Sequence, residues 1–176
     1  MSNNLFVIER ARPEEAAELL DYLKIVGGET NNLSFGAEGV PLSLEAEQDY
    51  LRAQCGSTDN VQFFAKVDGE IIGTASLNRN HNRMSHRGAF GISLKKAWWG
   101  CGAASALMEE ILAFAQENGF EQLNLEVRSS NTRAIHLYEK YGFRKLCTFP
   151  HFFKIDGEYI DFDLMNLELS IAEQLR

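Results

Sequence analysis

The stretch from Gly88 to Arg128 constrains the fold more than any other part of the chain. A β-prone run, Gly88 to Leu94, passes through Lys95-Lys96-Ala97-Trp98-Trp99-Gly100-Cys101-Gly102 into a segment rich in apolar residues. There Ala104, Leu107, Met108, Ile111, Leu112 and Ala115 recur at helical spacing as far as Asn118, and Gly119 stands where a helix would close. Leu123, Leu125 and Val127 then alternate with Asn124, Glu126 and Arg128, the period of a strand. Strand, helix and strand in that order form a crossover, the connection that parallel neighbours in a sheet require.

Two hairpins flank the crossover. Val61–Val67 and Ile71–Leu77 surround Asp68-Gly69, and Leu146–Ile155 and Tyr159–Leu169 surround Asp156-Gly157. Asp-Gly between β-rich runs predicts a type I′ turn, because both central residues must adopt positive φ. Upstream, Leu5 to Glu9 reads as a short strand. Pro13, Glu14 and Glu15 open a helix carried by Ala16, Leu19, Leu20 and Leu23, which Gly27-Gly28 is expected to stop. Residues 29–42 read as an irregular loop, Ser43 caps a second helix to about Gln54, and Asn131 to Tyr141 forms a shorter helix closed by Gly142. The total is an α/β (α+β) arrangement: a mixed sheet flanked by helices, expected as a single domain over residues 1–176.

Composition narrows the partners. A chain of 176 residues, 45% hydrophobic and 24% charged, has the makings of one sizeable core. A formal charge of −8 argues against nucleic acid, which needs a clustered basic surface, and suits a cationic small molecule. The N-terminus lacks the pattern of a signal peptide and no run of apolar residues is long enough to span a membrane, so a cytoplasmic location is expected. Cys55, Cys101 and Cys147 show neither metal-ligand nor disulfide spacing; they are expected to be reduced and packed, with no metal bound.

The glycine-rich turn between Leu94 and Ala103 carries the chemistry. The unbonded N–H groups of a first helical turn and the positive end of the macrodipole face whatever lies in front of the helix, which makes an anion site. Gly100 and Gly102 have no Cβ to obstruct a phosphate. A P-loop would need Lys followed by Ser or Thr where Ala103 and Ala104 stand. A dinucleotide fingerprint would need Gly or Ala where Ser105 stands, and its glycines would follow the first strand of a βαβ unit.

Trp99-Gly100-Cys101-Gly102-Ala103-Ala104 resembles the pyrophosphate loop of the GNAT family of N-acetyltransferases, Gln/Arg-x-x-Gly-x-Gly/Ala, with Trp99 in place of the usual Gln or Arg. Downstream, Asn131, Ala134, Tyr138, Gly142 and Phe143 match every defined position of that family's second motif, Asn-x-x-Ala-x-x-x-Tyr-x-x-x-Gly-Phe. The resemblance extends from the first strand to the closing hairpin, and it implies a centrally splayed sheet and acetyl-coenzyme A as co-substrate. It also implies that Trp99, Gly100, Cys101, Gly102, Ala103 and Ala104 hold the coenzyme pyrophosphate, that the backbone of Ile92, Ser93 and Leu94 pairs with the pantetheine arm, and that Asn131 belongs to the coenzyme site.

By the same resemblance Tyr138 gives a proton to the departing thiolate, which a phenol of pKa about 10 can do at neutral pH. Ala134, Leu137, Tyr138 and Tyr141 also share a helical face, so a core role for Tyr138 stays open, as does a plain N-cap role for Asn131. His136 points elsewhere on the helix and is expected to be exposed.

An alkylammonium of pKa about 10.4 must lose its proton before attack, at a cost of about 4.6 kcal/mol at pH 7. Glu29, Glu126 or a carboxylate acting through water are the candidate bases. A backbone N–H in Ile92–Leu94 would stabilise the oxyanion, and Cys101, without a His partner, is not expected to be a nucleophile. Residues 29–42, the loop after Leu77, and Phe149, His151, Phe152, Tyr159 and Asp161 of the closing hairpin are expected to select the acceptor, a small-molecule amine or a peptide N-terminus. A coenzyme A-binding module without catalysis is the alternative reading. The exposed edge of the closing hairpin allows a homodimer.

Overall fold

Both Asp-Gly turns form as their backbone requirement dictates: Asp68 and Gly69 adopt φ of 50° and 85°, and Asp156 and Gly157 adopt 50° and 85°. The structure, a computed structural model, describes residues 5–169. In chain order the elements are β1 (Val7–Arg10), α1 (Ala16–Glu29), α2 (Leu44–Gln54), β2 (Asn60–Val67), β3 (Glu70–Arg79), β4 (Arg87–Leu94), α3 (Ala103–Glu117), β5 (Gln122–Arg128), α4 (Thr132–Lys140), β6 (Arg144–Ile155) and β7 (Glu158–Glu168). The strands are hydrogen-bonded in the order β1-β2-β3-β4-β5-β7-β6, a seven-stranded mixed sheet. β4 and β5 are parallel, as the crossover through α3 requires, whereas β1–β2, β2–β3, β5–β7 and β6–β7 are antiparallel. The parallel register covers only Arg87, Gly88 and Ala89 opposite Gln122, Leu123 and Asn124, so the sheet is splayed. Its contacts group into two compact units: residues up to Asn78 with Gly91–Asn118, and Arg79–Phe90 with residues from Gly119 onward.

In the first unit, α1 and α2 bury Leu19, Tyr22, Val26 and Leu51 against Phe64 of β2 and Ile71 of β3. Each such side chain removed from water contributes about 1.5–3 kcal/mol. Ser43 caps α2 as expected, its Oγ accepting from the Ala46 N–H at 3.1 Å. In α3, Leu107, Met108 and Ile111 are fully buried. Gly73 of β3 has no room for a side chain, since a Cβ would lie 2.8 Å from Leu94 Cγ.

One expectation fails here. Gly27-Gly28 does not stop α1, which continues through both glycines to Glu29. The reason is packing and not termination: a Cβ on Gly27 would stand 2.0 Å from the Gly36 carbonyl oxygen, where the following loop crosses the helix. The first strand also begins two residues later than expected, at Val7, and ends at Arg10.

In the second unit β5 alternates as its sequence predicts, with Leu123, Leu125 and Val127 buried and Glu126 exposed. Gly119 follows α3 at φ 70°, the left-handed conformation expected just beyond a helix. Buried Asp163 of β7 accepts from Ser129 Oγ at 2.7 Å, from Thr148 Oγ1 at 2.9 Å and from Lys145 Nζ at 2.9 Å. Burial pushes its carboxyl up, but these three donors outweigh burial and hold it below the usual aspartate range. β6 lies at the edge of the strand order and is exposed along most of its length. The cysteines are free thiols, but the expectation that all are packed is wrong for two of them: Cys55 and Cys147 are exposed, at the end of a surface helix and on the edge strand. Among the described residues no helix is long and apolar enough to cross a membrane, and no group of three or more metal-ligating side chains gathers.

Candidate active site

The first unit presents the turn between β4 and α3. Gly100 and Gly102 adopt φ of 84° and 93°, a region that side-chain-bearing residues enter at a cost of about 1–2 kcal/mol. Nothing lies within 4 Å of where a Cβ would stand at either position, so their surroundings are open. Gly102 is the N-cap of α3 and brings no side chain to cap it; the ladder starts with the Ala106 N–H donating to the Gly102 carbonyl at 3.1 Å. The amides of Ala103 and Ala104 therefore precede the helical ladder, and no acidic residue occupies the first turn. Open glycines, uncapped amides and a first helical turn without an acidic residue fit an oxygen-rich anion, the chemistry of a coenzyme A pyrophosphate.

The rest of this turn is strapped down. The Lys95 N–H donates to the Ile72 carbonyl at 2.9 Å, and its ammonium pairs with Glu70 while lying 5.9 Å from the Tyr22 ring centroid. Glu29 Oε2, at the last position of α1, accepts from the Lys96 N–H at 2.7 Å. A carboxylate at a helix C-terminus opposes the macrodipole, and this bond to a backbone donor offsets that repulsion. The Trp99 indole N–H donates to the Leu94 carbonyl at 3.1 Å, which folds the turn back on β4. Indole has a single donor, so whatever Trp99 offers an anion is not that hydrogen bond. Cys101 is a half-buried free thiol within the turn.

Ile92, Ser93 and Leu94 are half-buried at the end of β4. Ser93 Oγ lies 2.9 Å from the Tyr22 hydroxyl. Tyr22 is buried; desolvation, with a smaller contribution from Glu29, raises its phenol above the ordinary range despite the opposing Ser93 hydrogen bond, and it stays neutral. The sequence carries no signal for this pair, because Tyr22 falls at a core-facing helical position like any packing aromatic.

The second unit holds the other residues. Asn131 is the N-cap of α4, its Oδ1 accepting from the Ala134 N–H at 3.3 Å, so the cap reading holds for its oxygen while the amide NH2 is a donor outside the cap. Tyr138 is 6% exposed, with its ring 5.8 Å from Phe143 and edge-on to Phe90 at 6.1 Å. Burial raises its phenol above the ordinary range. No hydrogen bond to its hydroxyl is found among the described residues. Glu126 is exposed on β5 opposite Leu164 of β7, and His136 is exposed as expected. On the closing hairpin Phe149, Phe152 and Tyr159 are exposed instead of packed in a core, and His151 stacks on Tyr159 at 4.6 Å. The His151 N–H donates to Asp161 Oδ1 at 2.9 Å, holding a bulge where His151 adopts φ 57°.

A mixed splayed sheet with an uncapped glycine turn after its fourth strand defines a class, and comparison with known proteins identifies it. The model of the acetyltransferase (GNAT) family matches residues 31–143, and the chain belongs to that family. The crystal structure of a GNAT acetyltransferase from Streptococcus pneumoniae superposes with a TM-score of 0.89 at 31% identity, covering 93% of this chain and 99% of that one. The chain is 33% identical over 102 residues to the L-amino acid N-acetyltransferase AaaT of Escherichia coli, and that stretch covers 57% of this chain and 63% of the relative. The fold is shared with yncA of Salmonella typhimurium, determined with acetyl-CoA, at a TM-score of 0.83, 17% identity and 97% coverage of each chain.

Proposed function

We propose that this chain acts as a single domain in the cytoplasm, transferring the acetyl group of acetyl-coenzyme A to a primary amine of a small molecule or a peptide N-terminus by direct attack. The observation that carries the reading is the turn at Gly100 to Ala104, open, rich in amides and free of acids. In this reading its backbone N–H groups hold the pyrophosphate, and the backbone of Ile92–Leu94 takes the pantetheine arm and supplies an N–H to the developing oxyanion. The amine passes a proton to a base and its nitrogen attacks the thioester carbon; the C–S bond then breaks and the electron pair leaves on sulfur. Tyr138 gives that sulfur its proton. Its surroundings suit an acid of this kind. The phenol is neutral, its ring is fixed by Phe90 and Phe143, and its hydroxyl has no hydrogen-bond partner among the described residues.

Glu29 and Glu126 are the carboxylates proposed as base. Glu29 stands beside the turn with one oxygen bound to the Lys96 N–H, leaving its second oxygen to accept a proton. Glu126 is solvated on β5. The relatives named L-amino acid N-acetyltransferase and N-alpha-acetyltransferase support an amine acceptor. Calorimetry with acetyl-coenzyme A, followed by thiol release across a panel of amines, tests the reading. Binding with turnover that Tyr138→Phe depresses supports transfer; binding without turnover of any amine makes the chain a coenzyme-binding module.

A further inference from the structure

Resting on the transfer reading above, we infer that Glu47 of α2 receives the ammonium group of the acceptor, so that the enzyme selects amines that arrive as cations. Glu47 is 3% exposed, and no hydrogen bond or ion pair to its carboxylate is found among the described residues. The other buried acids are treated differently. Glu15, 9% exposed, is held by Arg12 and Lys66, and Asp163, 5% exposed, is held by Ser129, Thr148 and Lys145. A largely enclosed carboxylate without a partner is relieved by a proton, by a cation or by hydrogen-bond donors, and an ammonium group supplies the last two together. Desolvation alone raises the Glu47 carboxyl above the usual range.

Helix architecture does not require this burial. Ser43 already caps α2, and exposed Glu45 complements the macrodipole while remaining in water. A carboxylate one turn in would gain the same benefit on the solvent side.

The sheet face beside this part of α2 is polar. Tyr50, one turn along α2, donates to Asn78 Oδ1 at 3.2 Å, which seats this part of the helix over the end of β3. The register of β2 and β3 pairs Phe64 with Thr74, Gln62 with Ser76 and Asn60 with Asn78, and Phe64 packs in the same cluster as Leu51 of α2. The face of β3 under α2 therefore runs Thr74, Ser76, Asn78, whereas the opposite face carries Ala75 and Leu77. A helix resting on a sheet only for packing would meet apolar residues there. On β4, Gly91 adds no bulk: the sole heavy atom within 4 Å of its absent Cβ is Ser76 Oγ, at 3.7 Å. Small polar side chains, a glycine and one unpaired carboxylate are the furnishings of an ammonium site. A metal would need more ligands than the single carboxylate present.

The test uses the full chain and propylammonium chloride, with 1-propanol and sodium chloride as controls. Wild-type protein is expected to gain thermal stability with propylammonium and not with the controls, and Glu47→Gln is expected to lose that response. Glu47→Gln should melt no lower than wild type, because it removes a buried unpaired charge, and should bind acetyl-coenzyme A within twofold of wild type by calorimetry. In turnover its KM for an ammonium-bearing acceptor should rise at least tenfold, with kcat changed less than KM. A wild type that ignores propylammonium overturns the inference, as does a Glu47→Gln variant that responds like wild type or melts lower with coenzyme binding lost. An intact propylammonium response in a wild type that binds no acetyl-coenzyme A would support the Glu47 site while sinking the transferase reading.

Discussion

At the scale of single residues, what a side chain touches separates roles that its type leaves equal. Tyr138 could have been a core aromatic or an acid from its helical position; burial of the ring satisfies the first reading and the hydroxyl without a partner favours the second. Tyr138→Phe is expected to lower kcat about 100-fold, within the range of general acid catalysis. Stability should change by less than about 0.5 kcal/mol, since the lost hydroxyl makes no hydrogen bond within the described protein. Thiol release and a denaturant midpoint read the two quantities. Glu29 is separable in the same way. Glu29→Gln keeps an oxygen for the Lys96 N–H but cannot take a proton, so kcat should fall with coenzyme affinity kept. Glu29→Ala should also raise the coenzyme Kd about tenfold, corresponding to roughly 1.4 kcal/mol for a lost charge-assisted bond.

Among elements, local signals were legible wherever the backbone alone set the outcome. The Asp-Gly turns, the Ser43 and Asn131 caps, the strand period of Leu123–Val127 and the glycine after α3 all obey conformational rules that act within a few residues. Gly27 shows where such rules stop. Two glycines in a row read as a helix end, yet α1 runs on because the Gly36 carbonyl, nine positions later in sequence, needs the space that a Cβ would occupy. Gly27→Ala is therefore expected to destabilise the protein by about 1–3 kcal/mol, as overpacking does, although alanine is the better helix former. A urea midpoint shifted downward, with faster amide exchange in residues 29–42, is the expected observation. Propensity by itself would shift the midpoint upward.

For the molecule as a whole, Asp163 makes the acid limb of stability predictable in sign. Its folded pKa lies below its unfolded value of about 3.9, so the stabilisation is fully present above that pH and is lost as pH falls through the folded pKa. Asp163→Asn should be less stable than wild type at pH 7 and should show a shallower loss of stability below about pH 4 in thermal melts. The exposed edge strand β6, with Leu146 and Phe149 outward, is the surface on which we propose that two copies pair. Sedimentation should show a dimer that Leu146→Lys combined with Phe149→Lys converts to monomer; a wild-type monomer at all concentrations would refute it.

The sequence by itself determined the order of elements, the mixed sheet with its crossover, the turn at Gly100–Gly102 and the match of Asn131 to Phe143 with a known motif, because each rests on residues close together in the chain. Only the tertiary structure decided that Glu29 ties α1 to the β4–α3 turn, that Tyr22 meets Ser93, that the Trp99 donor turns back to Leu94, and that Glu47 is buried without a partner. Hydrogen bonds between separate elements, and burial, depend on packing between segments distant in the chain, and the local pattern around Glu47 is that of any acidic residue early in a surface helix.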